Sequence, residues 1–185
     1  MPEHQMNVIA SLDQTFAHAG GVISGVSPER YADKTPCAEW TVRELLEHMI
    51  GVVDGLGRAA AGEAPTPFTL TDDPGAQFDE AAAAALAAWR TPGVLDQVVD
   101  AGPGPMPGHV LAGINLLDTA THSWDLATAT DQPAELPEPV AVAALEASAM
   151  LVSPELRAGR FGPEQPAPDG ASTTARLVAF LGRTP

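Results

Sequence analysis

The chain is short of several things, and each shortage excludes something. It has one cysteine, Cys37, in 185 residues. No internal disulfide can form, so packing must hold the fold, as suits a protein of the reducing cytoplasm. Positive charge is scarce: nine Lys and Arg stand against 24 Asp and Glu, a net charge of −15, and Lys34 is the single lysine. Phosphate backbones and anionic bilayers are recruited by basic surfaces, so neither nucleic acid nor membrane is expected as a partner. The acidity suits solubility. No apolar run approaches the ~20 residues of a bilayer span. The opening MPEHQMNVIASLDQ lacks the basic and then apolar regions of a secretory leader. Also missing are a phosphate-binding glycine loop, a paired Cys-x-x-Cys, a Gly-x-Ser-x-Gly elbow and any internal repeat.

What is present is helical. Hydrophobic residues make up 45% of the chain, enough for one core, and the heavy use of alanine favours helix. Ile9, Leu12, Phe16, Ala19 and Ile23 recur at helical spacing and predict a first helix from Met6 to about Val26. Thr41-Val-Arg-Glu44 is a capping box that opens a second helix, whose shared face is Leu45, His48, Met49, Val52 and Leu56. A third helix is expected from about Pro74 to Arg90, capped by Asp72 or Asp73. A fourth should run from about Gly108 to Thr130, a fifth from Pro137 to about Leu151, and a short last one from about Ala171 to Leu181. Between the third and fourth, Val94 to Val99 reads as a short helix or strand. The Gly/Pro-rich Ala101–His109 must be irregular, a flexible joint or a rim over a site. No stretch keeps up the period-2 alternation of strands. The expected fold is an all-α four-helix bundle with additional short helices. Residues 1–185 are read as a single domain, with an extended segment and short helix over about 155–185.

The chemistry concentrates in LLDTATHSWDLATATDQ, Leu116 to Gln132. Asp118 and His122 are four residues apart, so on a helix they share one face, one turn apart, and can reach one metal ion. The stripe Leu111, Ile114, Asp118, His122, Asp125 begins apolar and turns into ligand chemistry, the pattern of a site built inside a bundle. Asp125 can orient a ligand or hold substrate, or it is a solvated carboxylate; it is the one candidate for a catalytic acid or base. Trp124 points to the opposite face and reads as packing. His48 is either a core histidine with a hydrogen-bond partner or a ligand, and a second imidazole and a carboxylate on another inward face favour the ligand. His18 lies off its helix's apolar stripe, and His109 lies more than two turns before Asp118. Cys37 reads as a partly buried structural cysteine, since it precedes the second helix's cap.

PCAEWTVRELLEHM, Pro36 to Met49, and LLDTATHSWDLATATDQ resemble two motifs of the DinB-like metal-binding superfamily. The nearer likeness is to the branch named for mycothiol-dependent maleylpyruvate isomerase, which includes uncharacterised actinobacterial proteins; the ending FGPEQPAPDGASTTARLVAFLGRTP resembles that branch too. The resemblance implies a four-helix bundle with a divalent metal at one end. A histidine of the second helix and a Glu-x-x-x-His pair of a later one would be its ligands. His48 and His122 match the histidines, and Asp118 falls where the glutamate would be. The isomerase carries an additional C-terminal domain that this chain is too short to hold in full.

Two imidazoles and a carboxylate suit zinc, and also nickel, iron or manganese, and three protein ligands leave open positions. The function expected is a metal- and thiol-dependent transferase or isomerase acting on a small molecule, with mycothiol as co-substrate. The alternative is a non-catalytic metal- or small-molecule-binding module with a role in stress or resistance. A homodimer remains open.

Overall fold

The computed structural model describes residues 3–37, 40–102, 104–157 and 160–185, without the side chains of 3–7 and 156. Residues 38–39 of the Pro36–Met49 motif and Pro103 of the Gly/Pro loop lie outside the described residues.

Helix α1, Glu3–Ser24, buries its expected stripe of Ile9, Leu12, Phe16, Ala19 and Ile23. Helix α2, Val42–Ala60, starts at the capping box: the Thr41 hydroxyl accepts from the Glu44 amide while the Glu44 carboxylate accepts from the Thr41 amide. Such caps are worth ~1 kcal/mol. Its buried residues include Leu45, Leu46, Met49, Ile50, Val53 and Leu56. His48 and Val52 flank that stripe, so the His48 ring sits where the core meets solvent. Helix α3, Pro74–Trp89, is capped by Asp73, whose carboxylate accepts from the Ala76 amide. Its alanines bring it close to α2: a Cβ on Gly57 would lie 2.8 Å from Ala85.

Strands β1, Val98–Asp100, and β2, Pro105–Pro107, form an antiparallel ribbon with Val98 opposite Pro107. The ribbon leads into α4, Gly108–Ala129. Helix α4 packs on α1, α2 and α5. Helices α1, α3, α2 and α4 neighbour one another in that cyclic order and form the bundle. From Asn115 to Ala127 every α4 residue but Asp118 is buried, polar ones such as Asn115, Thr119 and Ser123 included, because α1, α2 and α5 all pack on this helix. The only carboxylates in this helix are Asp118, which is partly buried, and Asp125, which is fully buried and so needs partners.

Helix α5, Glu138–Leu151, lies on α4, and the four-residue α6, Pro154–Arg157, follows. Helix α7, Thr173–Phe180, packs on α5 and sends Leu177 and Leu181 into the core. It ends in a Schellman motif. The Gly182 amide donates to the Ala179 carbonyl, the Arg183 amide donates to the Val178 carbonyl, and Gly182 has φ +86°. That left-handed residue reverses the chain and needs glycine. No helix among the described residues is long and apolar enough to cross a membrane.

Candidate metal centre

Asp118, in the middle of α4, meets two imidazoles. His48 on α2 brings Nε2 to 3.1 Å from Asp118 Oδ1. His122, one turn along α4, brings its Nε2 to 3.6 Å from the same oxygen. The three residues offer one donor atom each, all within 4.8 Å of one another. Donors held ~2.0–2.2 Å from one tetrahedral ion stand roughly 3–3.5 Å apart, and the two separations to Asp118 are of that size. The other carboxylate oxygen, Asp118 Oδ2, is buried with no hydrogen-bond partner. A cation among the three donors would satisfy it, whereas leaving it bare costs ~1–3 kcal/mol. The donor set and the orphaned oxygen therefore both fit a divalent ion. Side-chain exposure falls from 29% at His48 to 11% at His122, so the centre opens to solvent on the α2 side.

Behind His122 lies a buried charged network. His122 Nδ1 donates to Asp125 Oδ2 at 2.9 Å. Asp125, completely buried, takes a fork from Arg183: Nε donates to Oδ1 at 3.0 Å and Nη2 to Oδ2 at 2.7 Å. A carboxylate on the far nitrogen of a ligating histidine fixes the tautomer and leaves Nε2 as the metal donor. Cys37 joins the same network. Its thiol donates to Asp125 Oδ2 at 3.2 Å, accepts from Arg183 Nη2 at 3.4 Å and lies 3.7 Å from His122 Nδ1.

The connection before α2 forms the front wall. Arg30 bonds Asp131 and the Ala129 carbonyl, pinning this segment to the end of α4. The Trp40 amide donates to the Cys37 carbonyl, and the Thr35 hydroxyl donates to the Trp40 carbonyl. Trp40 thereby covers both imidazoles, its ring centroid 4.5 Å from that of His48 and 5.7 Å from that of His122.

These contacts set the charges. Burial opposes a charged His122, but the Asp118 carboxylate beside it, the bonds to Asp125 and Cys37 and the charge of Asp125 outweigh that and push its pKa up to about 10. Burial would raise Asp125, but the bonds from His122 and Arg183 and their charges bring it down to about 2. Asp118 is likewise held below its ordinary value: burial resists, and the charge of His122 and the bond and charge of His48 prevail. His122 thus favours its protonated form, standing between the Asp118 and Asp125 carboxylates.

His48, Asp118 and His122, singled out in the sequence, come together here. Asp125 lies directly behind them, fully committed to His122 and Arg183. His109 does not join: its Nδ1 is 3.2 Å from the Leu95 carbonyl. The Ala101–His109 loop is not the rim. At 1.5 Å per residue, α4 carries Asp118 about 15 Å beyond its own start. The rim is formed by Cys37 and Trp40 together with Arg183 at the end of α7. Cys37, expected as a partly buried structural cysteine, is partly buried and also joins the network, because its place in the chain before the second helix says nothing about its distance from α4. Arg183 was not anticipated at all; its one local signal is the glycine before it, just past a helix end. A separate cleft of about 410 Å³, lined by residues such as Ala60, Gly62, Val98 and Asp100, lies at the far end of α2 from His48.

Comparison with known proteins bears on this geometry. The family model of the mycothiol maleylpyruvate isomerase N-terminal domain matches residues 12–127. Two uncharacterized proteins of Mycobacterium tuberculosis, from strains CDC 1551 / Oshkosh and ATCC 25618 / H37Rv, are each 36% identical over 181 residues, covering 94% of this chain and 99% of theirs. No solved structure matches.

Proposed function

Because the chain belongs to the family of the mycothiol maleylpyruvate isomerase N-terminal domain, we propose that His48, Asp118 and His122 hold a divalent metal ion at which a small thiol of the mycothiol type is bound. The reading carries with it a metal- and thiol-dependent transferase or isomerase of the cytoplasm, acting on a small molecule. The observation that supports it best is the convergence of three donors on one point, with Asp118 Oδ2 buried and unpartnered. Zinc is the favoured ion for two imidazoles and a carboxylate; nickel, iron and manganese accept the same set. Bound there, the ion supplies a positive centre that favours thiolate over thiol and polarises an electrophile. The residues do the rest. His48 and His122 present neutral nitrogens, Asp118 offsets part of the charge, Asp125 keeps the His122 proton on Nδ1, and Trp40 shields the ring faces from water.

A second reading has its own support. Asp125, the one acid–base candidate, is locked between His122 and Arg183 and cannot readily exchange a proton with a substrate. A metal- or thiol-binding module that performs no chemistry, with a role in stress or resistance, suits that arrangement.

Metal analysis of the purified protein, followed by calorimetry with mycothiol, tests the proposal. Mycothiol is expected to bind the metal-loaded protein, more tightly as pH rises toward ~8.5, the pKa of an ordinary thiol, and not to bind His122→Ala. Equal affinity in both proteins would take the thiol off the metal. Tight thiol binding without turnover of any electrophile in a panel would leave the binding-module reading standing.

A further inference from the structure

We infer that Arg183 is a positioning residue of the metal centre, acting on His122 through Asp125, although 58 residues of chain separate it from that carboxylate. The inference rests on the reading of His48, Asp118 and His122 as ligands.

The geometry is that of a built contact. Asp125 is fully buried and the Arg183 side chain is 11% exposed, so this is not a solvated pair of little consequence. The guanidinium uses its whole fork. Nε and Nη2 hold the two oxygens of Asp125, Nη2 also reaches Cys37 Sγ, and Nη1 donates to the Leu181 carbonyl at 3.2 Å. Three segments therefore meet on one side chain: α4, the connection before α2 and the end of α7. A planar fork fixes the plane of the carboxylate it holds, and the plane of Asp125 fixes where His122 Nδ1 points. The Schellman turn aims Arg183 inward. A Cβ at Gly182 would lie 2.6 Å from Gly162 backbone atoms, so side chains are excluded there on two counts.

Positioning and simple charge predict opposite signs. Removing a cation near a metal should tighten metal binding if charge alone matters. If Arg183 holds the ligand in place, removing it should weaken binding. Co²⁺ and Zn²⁺ affinities, by chelator competition on the full chain, are compared in wild type, Arg183→Met, Arg183→Lys, Asp125→Asn and the double variant Arg183→Met/Asp125→Asn. Metal-free melting serves as the fold control. Arg183→Met is expected to bind about 10- to 100-fold more weakly, the usual cost of losing an outer-shell partner, with a shifted Co²⁺ visible spectrum. Lysine, charged but without the fork, should restore only part of the affinity. The double variant should bind no more weakly than Asp125→Asn alone, because both changes break one relay. A folded Arg183→Met protein with wild-type or tighter affinity overturns the inference, and so do additive losses in the double variant. If Arg183→Met does not fold, Arg183→Lys decides: unchanged affinity and spectrum overturn the inference, and a loss in both supports it. His48→Ala separates the two levels. Undiminished metal binding there sinks the ligand reading itself, whereas loss there with no effect at Arg183 sinks only this inference.

Discussion

His48 and His122 face the same oxygen of Asp118, yet they are held by different means. His122 is nearly buried and fixed from behind by a charged relay through Asp125 to Arg183. His48 stands at the edge of its helix's apolar stripe, 29% exposed, and its ring lies against the face of Trp40. The difference teaches how a site can be rigid on one side and accessible on the other. Hydrogen-bonded charges fix direction but need burial and complete pairing. Aromatic packing tolerates sliding and can border solvent. On the proposed reading, a small ligand would enter from the tolerant side, where His48 meets solvent.

The largest effect expected from breaking this asymmetry is on folding. Asp125→Ala strands the Arg183 cation in the interior and should cost the metal-free protein about 3–5 kcal/mol. His48→Ala should cost less than ~1 kcal/mol, since its ring is partly solvated. Urea denaturation of both variants checks this, and equal losses would mean that the two sides are not differently built. Metal affinity should rank the other way for His48: its variant stays folded but loses the ion.

Next in size is the acid limb of stability. Asp125 has its pKa lowered to about 2 in the folded state, against ~3.8 for an ordinary aspartate. Its contribution is therefore present above ~4 and lost as pH falls toward 2, about 2 kcal/mol in all. Asp125→Asn should flatten that limb in denaturation curves taken between pH 5 and 2, and an unchanged slope would refute the assignment.

Smaller for each pH unit, about tenfold in metal affinity, is the effect that follows from the other partner. His122 is raised to about 10, so metal must displace its proton at neutral pH, and affinity should climb as pH rises toward 10. The same proton stabilises the metal-free fold below ~6.5 and ceases to do so as pH rises through about 10. Calorimetry of Zn²⁺ binding in buffers of different ionisation enthalpy would count the proton; none released at pH 7 contradicts the charge arrangement.

The smallest effect belongs to the tolerant side. Trp40→Leu keeps an apolar cover but loses the tilted ring contact with His48, and should weaken metal binding by only about threefold. A hundredfold loss would show that His48 depends on Trp40 as His122 depends on Asp125.

What could be read in advance follows the range of the interactions. The Thr41–Glu44 cap, the stripe of α1 and the Asp118–His122 pair are set within a turn or two, so their spacing is written in the chain. His48 could be joined to them because it lies against the apolar stripe of a well-capped helix. The contacts of Cys37 with His122 and of Arg183 with Asp125 span 85 and 58 residues and have no periodicity to announce them. The Gly/Pro loop before α4 misled for a simple reason: adjacency in sequence to a long helix places a loop at its end, not at its middle.

Those spans also bear on how the protein comes to be folded. His48 meets Asp118 across 70 residues, and Arg183 meets Asp125 across 58. Each closure costs chain entropy that no local contact returns. α2 and α4 must dock before the donors face one another, and the relay behind His122 stays incomplete until α7 closes over α5. A chain still lacking its last helix would carry every proposed ligand yet hold His122 without its brace. The donor set is thus among the last features to be finished, and metal is expected to be captured by the folded bundle rather than to nucleate it.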